Sequence, residues 1–251
     1  MFLRRLYQFM IVYGLALLLL LAIKFFFGLS DYVIPGPREI WHTAGRVSGR
    51  YALDVLNTLQ VAVLGHALSI AMAFAVGIVG RLTSWMGSMI KTAAFNIQAY
   101  PIVAVAPIIF ILLGDGFSSR LLIAAMICYF PLLLSILGIL SEPVEDIEHF
   151  FRMTGRITWH LEVRIRAFEN LHKLTTVIVG SATLAVVGTI VAEFIAASAG
   201  IGVSIRRALY QSDLSKILVA LFLIGICTSL YLACLEWGGR RLMRRWQAPA
   251  A

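Results

Sequence analysis

Residues 141–173 read SEPVEDIEHFFRMTGRITWHLEVRIRAFENLHK. The stretch carries six acids (Glu142, Glu145, Asp146, Glu148, Glu162, Glu169) and five bases (Arg152, Arg156, Arg164, Arg166, Lys173). On either side the chain consists of apolar runs long enough to cross a bilayer. A charged, helix-compatible segment in such a chain has to face water, and whatever it meets there bears on what the chain does.

The apolar setting is quantitative. Hydrophobic residues make up 60% of the 251 and charged residues 14%, against roughly 45–50% and ~25% in soluble domains. That places the chain among membrane proteins and reads as one transmembrane domain over residues 1–251, with no separate soluble module. A membrane-spanning helix needs about 20 apolar residues. Six segments qualify: about Phe9–Leu29, Val55–Val79, Trp85–Leu113, Leu121–Leu140, Leu174–Ala197 and Leu214–Leu235. The first begins like a signal peptide, but its apolar run is too long and no small-residue cleavage site follows promptly, so it reads as a retained anchor.

The bases set the expected orientation. With the N-terminus cytoplasmic, the inner ends hold Arg4, Arg5, Arg81, Lys91, the five bases of residues 141–173, and Arg240, Arg241, Arg244 and Arg245. The outer loops hold Arg38, Arg46, Arg50, Arg120, Arg206 and Arg207. The positive-inside rule then puts both termini and the charged segment in the cytoplasm. The net charge of +8 therefore points to topology and anionic lipid rather than to nucleic acid. Cys128, Cys227 and Cys234 lie inside apolar runs without metal-ligand or disulfide spacing, and read as small buried hydrophobes.

Two outer stretches have the mixed composition of interfacial helices. One is Pro37–Arg50 within an outer loop of about residues 30–54, with Pro37 suited to a first turn. The other is about Gly202–Ser212 within an outer loop of about 198–213. The third span carries Pro101 and Pro107, each of which deletes a backbone donor. It either kinks simply or breaks where it lines a cavity. Within residues 141–173 two short helices fit, about Val144–Met153 and Thr158–Asn170, with a turn at Thr154-Gly155. The first offers Ile147, Phe150 and Phe151 among charges, a composition found at protein contacts. The alternative is a loop folded back on its own helix ends.

These residues resemble a family, the permease subunits of type I ATP-binding-cassette (ABC) importers, in its nitrate, sulfonate and taurine branch. That family carries a cytoplasmic Glu-Ala-Ala-x-x-x-Gly motif on a short coupling helix that enters a cleft of the ATPase subunit. The corresponding stretch here is His149-Phe150-Phe151-Arg152-Met153-Thr154-Gly155, with Trp159 following where that branch often has Trp. Residues 190–202, IVAEFIAASAGIG, look very like the branch's fifth-helix ending. Residues 33–41, VIPGPREIW, resemble its first outer loop, and 101–116 its proline-broken third helix. The sequence departs from the motif in its Glu, replaced by His149 unless Glu148 serves with a one-residue shift, and in its alanines, replaced by Phe150 and Phe151. The family's later Leu-Pro is Ala167-Phe168 here.

The resemblance implies an all-α fold of about six membrane helices in the bacterial inner membrane, and a solute pathway rather than an enzyme. It implies contact with ABC ATPase subunits through Glu148, His149, Phe150, Phe151, Arg152, Gly155 and Trp159. A second permease subunit, identical or paralogous, and an extracytoplasmic solute-binding protein complete the expected assembly. No Gly-rich Lys loop for nucleotide is present, so ATP and magnesium are expected on the partner ATPase and no cofactor on this chain. The rival readings are a membrane structural or regulatory subunit and a degenerate, non-conducting half of a mixed permease pair.

Other residues carry their own alternatives. Glu193, an acid within an apolar run, is costly there; it either faces a pathway or gate, or pairs with Arg206 or Arg207 at the interface. Asn96, Gln98 and Tyr100, ahead of Pro101, either face a polar solute or bond to neighbouring helices. With Pro101, Pro107 and Glu193, Asn96 and Tyr100 are the pathway candidates. His66 reads as a packed, hydrogen-bonded histidine, and Lys24 as snorkelling outward.

Overall fold

The computed structural model describes residues 2–155 and 158–247. The chain is helical: α1 (Phe2–Phe27), α2 (Pro37–Val79), α3 (Ser84–Gln98), α4 (Ile102–Leu113), α5 (Phe117–Ser141), α6 (Glu145–Met153), α7 (Trp159–Glu169), α8 (Leu171–Ile195), α9 (Ile201–Tyr210) and α10 (Leu214–Gln247). Five of these (α1, α2, α5, α8 and α10) are long and apolar enough to cross a membrane, and the bent pair α3–α4 makes a sixth if it is counted as one broken span. The expected all-α membrane architecture of about six spans is what the chain adopts, with five or six candidate spans.

One expectation is corrected. The separate surface helix at Pro37–Arg50 does not exist as such. It is the first part of α2, which continues unbroken for 43 residues. Nothing between Arg50 and Val55 stops a helix, since neither proline nor glycine occurs there. At 1.5 Å per residue α2 is about 64 Å long, twice the ~30 Å apolar thickness of a bilayer. Of the two readings of the third span, a simple kink or a break, the structure shows the break. α3 and α4 meet at 88°. Pro101 stands at the start of α4 with extended backbone (φ −67°, ψ 118°), and a proline pushes the residue before it out of helical geometry. Pro107 lies inside α4 without interrupting it.

α5 is the central element. Its residues Cys128, Leu132, Ile136 and Leu140 recur every four positions, the spacing of one helix face, and none is more than 1% exposed. Together with Ala73 of α2 and Leu174 of α8, Leu132, Ile136 and Leu140 form the apolar core at the α6 end of the bundle. Small residues let the backbones close up: a Cβ on Gly188 would stand 3.1 Å from Ile127 Cβ and 3.2 Å from Ala124 Cα, the close approach that membrane helices use in place of a hydrophobic driving force. Polar side chains tie the same helices. His66 on α2 joins Tyr231 Oη of α10 through Nδ1 (2.7 Å) and Ser181 Oγ of α8 through Nε2 (2.9 Å). Ser69 Oγ bonds with the Ala125 carbonyl (2.9 Å). His66 is thus the packed histidine that the sequence indicates.

α1 is peripheral and contributes no buried residue. It is fastened to α10 by an ion pair of Arg5 with Glu236, by Tyr13 Oη donating to the Leu218 carbonyl (2.9 Å), and by Phe9 lying against Gly225. The Lys24 ammonium reaches Asp31 at the other end of α1. Of the cysteines only Cys128 is buried; Cys227 is partly exposed and Cys234 lies on the outer surface of α10, so the expectation of three buried hydrophobes holds for Cys128 alone.

The packing at Gly188 sets a test. Gly188→Leu places a branched side chain where no space exists, and overpacking of this kind costs about 1–3 kcal/mol. A clear fall in the thermal unfolding midpoint of the detergent-purified chain is expected, while Gly138→Leu, a position with nothing within 4 Å, should leave it near the wild type.

Candidate coupling surface and membrane carboxylate

α6 starts where the chain turns off α5 at Glu142 and Pro143. Its first turn is closed by Glu148, whose Oε1 accepts from the Val144 N–H (3.1 Å). The same carboxylate, 2% exposed, receives a two-pronged bond from Arg166 on α7: Nε to Oε1 at 2.6 Å and Nη2 to Oε2 at 2.9 Å. Arg166 Nη1 donates to the carbonyls of Leu140 (3.1 Å) and Ser141 (3.3 Å), the free C-terminal carbonyls of α5. Nη2 also lies 2.7 Å from Glu162, which in turn holds Arg81 at 2.7 Å. A guanidinium has five N–H groups in a fixed fork, and here each has an acceptor. The bond to Glu148 comes first among the influences that hold the Arg166 pKa above its ordinary value; burial opposes it, and the charge of Glu162 reinforces it.

Glu148 points into the fold and His149 points out. Fixing Glu148 inward turns the aromatic side of α6 away from the protein. Phe150 is 63% exposed and Met153 76%. Phe151 is half-buried and packs edge-on to Phe150, ring centroids 5.6 Å apart. Thr154-Gly155 ends the helix, Gly155 at φ +67°, a left-handed conformation that glycine adopts without strain. Trp159 opens α7 at 37% exposure behind the Thr158 cap. The side chain of Arg152 lies outside the described residues. The stretch therefore does both things considered for it: one face folds back on the helix ends and the other is left as an apolar contact surface.

At the opposite end of the bundle Glu193 is fully buried. Thr58 Oγ1 of α2 lies 2.8 Å from its Oε2 and accepts the Ile201 N–H (2.9 Å). The Gly202 N–H donates to Oε2 (3.0 Å), and Arg120 Nη1 of α5 lies 3.4 Å from Oε1. Arg120 Nη1 also reaches Asn57 Oδ1 (2.7 Å) and the Ala199 carbonyl (3.1 Å). The sequence after Glu193 makes room for it. Gly200 has φ +107°, and a Cβ there would stand 2.1 Å from the carboxyl group. A Cβ on Gly202 would stand 2.6 Å from Glu193 Cβ. The expected partners Arg206 and Arg207 are not the ones used: Arg206 donates instead to the carbonyls of Phe194 (3.0 Å) and Ala197 (2.9 Å). The partner is Arg120, which is no outer-loop base but a buried residue of α5, 7% exposed.

The remaining candidates, Asn96, Tyr100, Pro101 and Pro107, are all exposed around the α3–α4 break. None of them bonds to Glu193, whose partners come from α2, α5 and the start of α9, although α4 packs on Ala192 and Ala197 beside it. Among the described residues no group of three or more His, Cys, Asp or Glu could hold a metal.

The arrangement, membrane helices with an amphipathic helix standing off the end of α5, agrees with what the sequence is similar to. The model of the binding-protein-dependent transport system inner membrane component family matches residues 65–248. The chain belongs to that family. Among curated proteins it is 31% identical over 229 residues to a riboflavin transport system permease protein of Chloroflexus aurantiacus, covering 88% of this chain and 83% of that one. It is 24% identical over 212 residues to a formylaminopyrimidine transport permease protein of Halalkalibacterium halodurans, covering 82% and 83%. A probable ABC transporter permease of Haemophilus influenzae is 22% identical over 241 residues, 93% and 95%. The chain is thus a multi-pass inner-membrane permease subunit of a transport system, and a transport protein by family rather than an enzyme.

Several of the permease's key residues escape sequence reading. Arg166 lies eighteen positions beyond Glu148 on another helix, and Arg120 opens an apolar run like any interfacial base. One signal was present for each. Arg166 sits four residues after Glu162 on α7, and Gly200 and Gly202 follow the one membrane acid of α8.

Both charge clusters give measurable outcomes. Removing one partner of a buried pair costs about 3–5 kcal/mol. Glu148→Gln and Arg166→Met should each lower the unfolding midpoint strongly, and the double variant should lose less than their sum. Arg166→Lys, a point charge without the fork, should rescue little. Gly200→Ala should destabilise the permease at the far end, with Glu193→Ala in the same chain restoring part of the loss.

Proposed function

We propose that this permease is one of two membrane subunits of an ATP-driven importer, with α6 as the element that an ATPase subunit grips. The observation that carries this is the geometry of α6: an apolar face of Phe150, Phe151 and Met153 is presented outward on a helix whose other face is bolted to α5 and α7 through Glu148 and Arg166. A rigid knob of this kind passes displacement on to the spans. The distribution of bases supports placing α6 and both termini in the cytoplasm. ATP and magnesium belong to the ATPase in this reading, and no cofactor belongs to the permease.

The solute pathway runs along the exposed face around the α3–α4 break, where Asn96, Tyr100, Pro101 and Pro107 would meet a second permease subunit. Glu193 keeps the far end of α8 closed against α2 and α9 and serves as a gate post rather than a solute ligand. An extracytoplasmic binding protein docks at that end, where Arg46, Arg50, Arg207 and Lys216 line one recess. The residues shared with the nitrate, sulfonate and taurine branch support membership there. The solutes in the names of two relatives are nitrogen heterocycles, which favours a small heterocyclic molecule over an inorganic anion. The replacement of the family's two alanines by Phe150 and Phe151 favours a second reading, a mixed permease pair in which this subunit is the divergent half.

The test uses the permease co-expressed with its ATPase and binding protein in proteoliposomes. Phe150→Asp and Gly155→Pro should abolish uptake, on the order of a tenfold loss or more, while ATP hydrolysis persists. Uptake at the wild-type rate in both variants would refute the assignment of α6.

A further inference from the structure

At the α6 end of the bundle the first turns of α1, the start of α8 and the last turns of α10 leave a cavity of ≈ 630 Å3 between them. Arg4, Arg5, Arg240 and His172 line it, with Glu236 as its one acid. Glu236 is shared between Arg5 and Arg240. Arg4 has neither an ion pair nor a hydrogen bond among the described residues, so three guanidinium groups face one carboxylate. A second recess on α10 shares Arg240 and adds Arg241 and Arg244 around Trp237, with the Arg241 guanidinium 4.8 Å from the Trp237 ring.

Depth identifies the medium. Arg4 and Arg5 precede the apolar run of α1 by a single turn, and His172 stands in the first turn of α8. The cavity therefore opens at the level of lipid headgroups, not in bulk solvent and not in the hydrocarbon. Excess positive charge between membrane helices at that depth attracts phosphodiester headgroups, and Arg forks match phosphate oxygens two at a time. An indole beside them is the usual side chain at that depth.

We propose that this cleft is a binding site for an anionic phospholipid, with one phosphate held by Arg4, Arg5 and Arg240. The adjoining recess at Arg241 and Arg244 suits a second phosphate, which favours a diphosphatidyl lipid over a single-phosphate one. The site has a structural consequence. α1 buries no residue of its own and depends on α10 for its hold on the bundle. A lipid bridging Arg4 of α1 to Arg240 of α10 staples the two together from outside the protein. The site stands apart from α6 and does not rest on the coupling role.

The experiment is native mass spectrometry of the delipidated full-length permease in detergent, titrated with cardiolipin, phosphatidylglycerol, phosphatidylcholine or inorganic phosphate. Cardiolipin and phosphatidylglycerol should bind in preference to phosphatidylcholine, cardiolipin more tightly. Each surface base contributes about a factor of five, so Arg4→Gln/Arg240→Gln should weaken cardiolipin by roughly tenfold or more. Lys91→Gln/Arg38→Gln, which removes two exposed bases elsewhere, should leave it unchanged. Equal binding of phosphatidylcholine, or undiminished cardiolipin binding by Arg4→Gln/Arg240→Gln, would overturn the site. Inorganic phosphate displacing cardiolipin at equal concentration would overturn the lipid and leave a soluble anion as the ligand.

Discussion

Arg166 is the residue on which the α6 end depends. Its five N–H groups meet Glu148, Glu162 and the last carbonyls of α5, and no other side chain has the donors to do so. A helix C-terminus leaves carbonyls unsatisfied, and an isolated buried carboxylate is expensive. One guanidinium answers both, and in doing so joins α5, α6 and α7 into one body. The nine residues of α6 are too few to be a stable helix alone. Its form and its tilt come from this clamp.

The opposite end repeats the logic with different parts. Glu193 is buried among a hydroxyl, a backbone N–H and Arg120, and two glycines give it the space. α5 contributes to both ends: Arg120 in its first turn reaches Glu193, and its terminal carbonyls receive Arg166. At 25 residues it is about 37 Å long and is packed along the face of Cys128, Leu132, Ile136 and Leu140. Among the described residues α5 is the only helix that touches both charge clusters, and under the proposed coupling role it is the route from α6 to the region around Glu193, with Pro131 inside it.

Much of this was legible in the sequence because membranes enforce simple rules. Apolar length gave the spans, and the charged interruption at residues 141–173 gave α6 and α7 to within a residue or two, because Pro143, Thr154-Gly155 and Thr158 are strong local signals. What stayed hidden was non-local or continuous. α2 carries no mark showing whether its amphipathic start and its apolar end are one helix, since either half would be helical anyway. Two prolines of the third span look alike, yet only Pro101 breaks the helix. The pairs Glu148–Arg166 and Glu193–Arg120 join residues on different helices, and composition does not say which arginine meets which acid.

The two phenylalanines of α6 take on a definite meaning once Glu148 is fixed inward. A helix contact through alanines is shallow and lets backbones approach closely. A large aromatic ring buries 150–250 Å2 on contact and needs a pocket of its own shape. Because α6 is held at Glu148 and cannot rotate to hide Phe150, an ATPase that grips it in the proposed importer has to supply that pocket. Under that proposal the departure from the family's alanines is a statement about the partner as much as about this chain. An ATPase that fits Phe150 and Phe151 would have a wider cleft than one shaped for alanines, and the same two rings would exclude the permease from a cleft of the ordinary size.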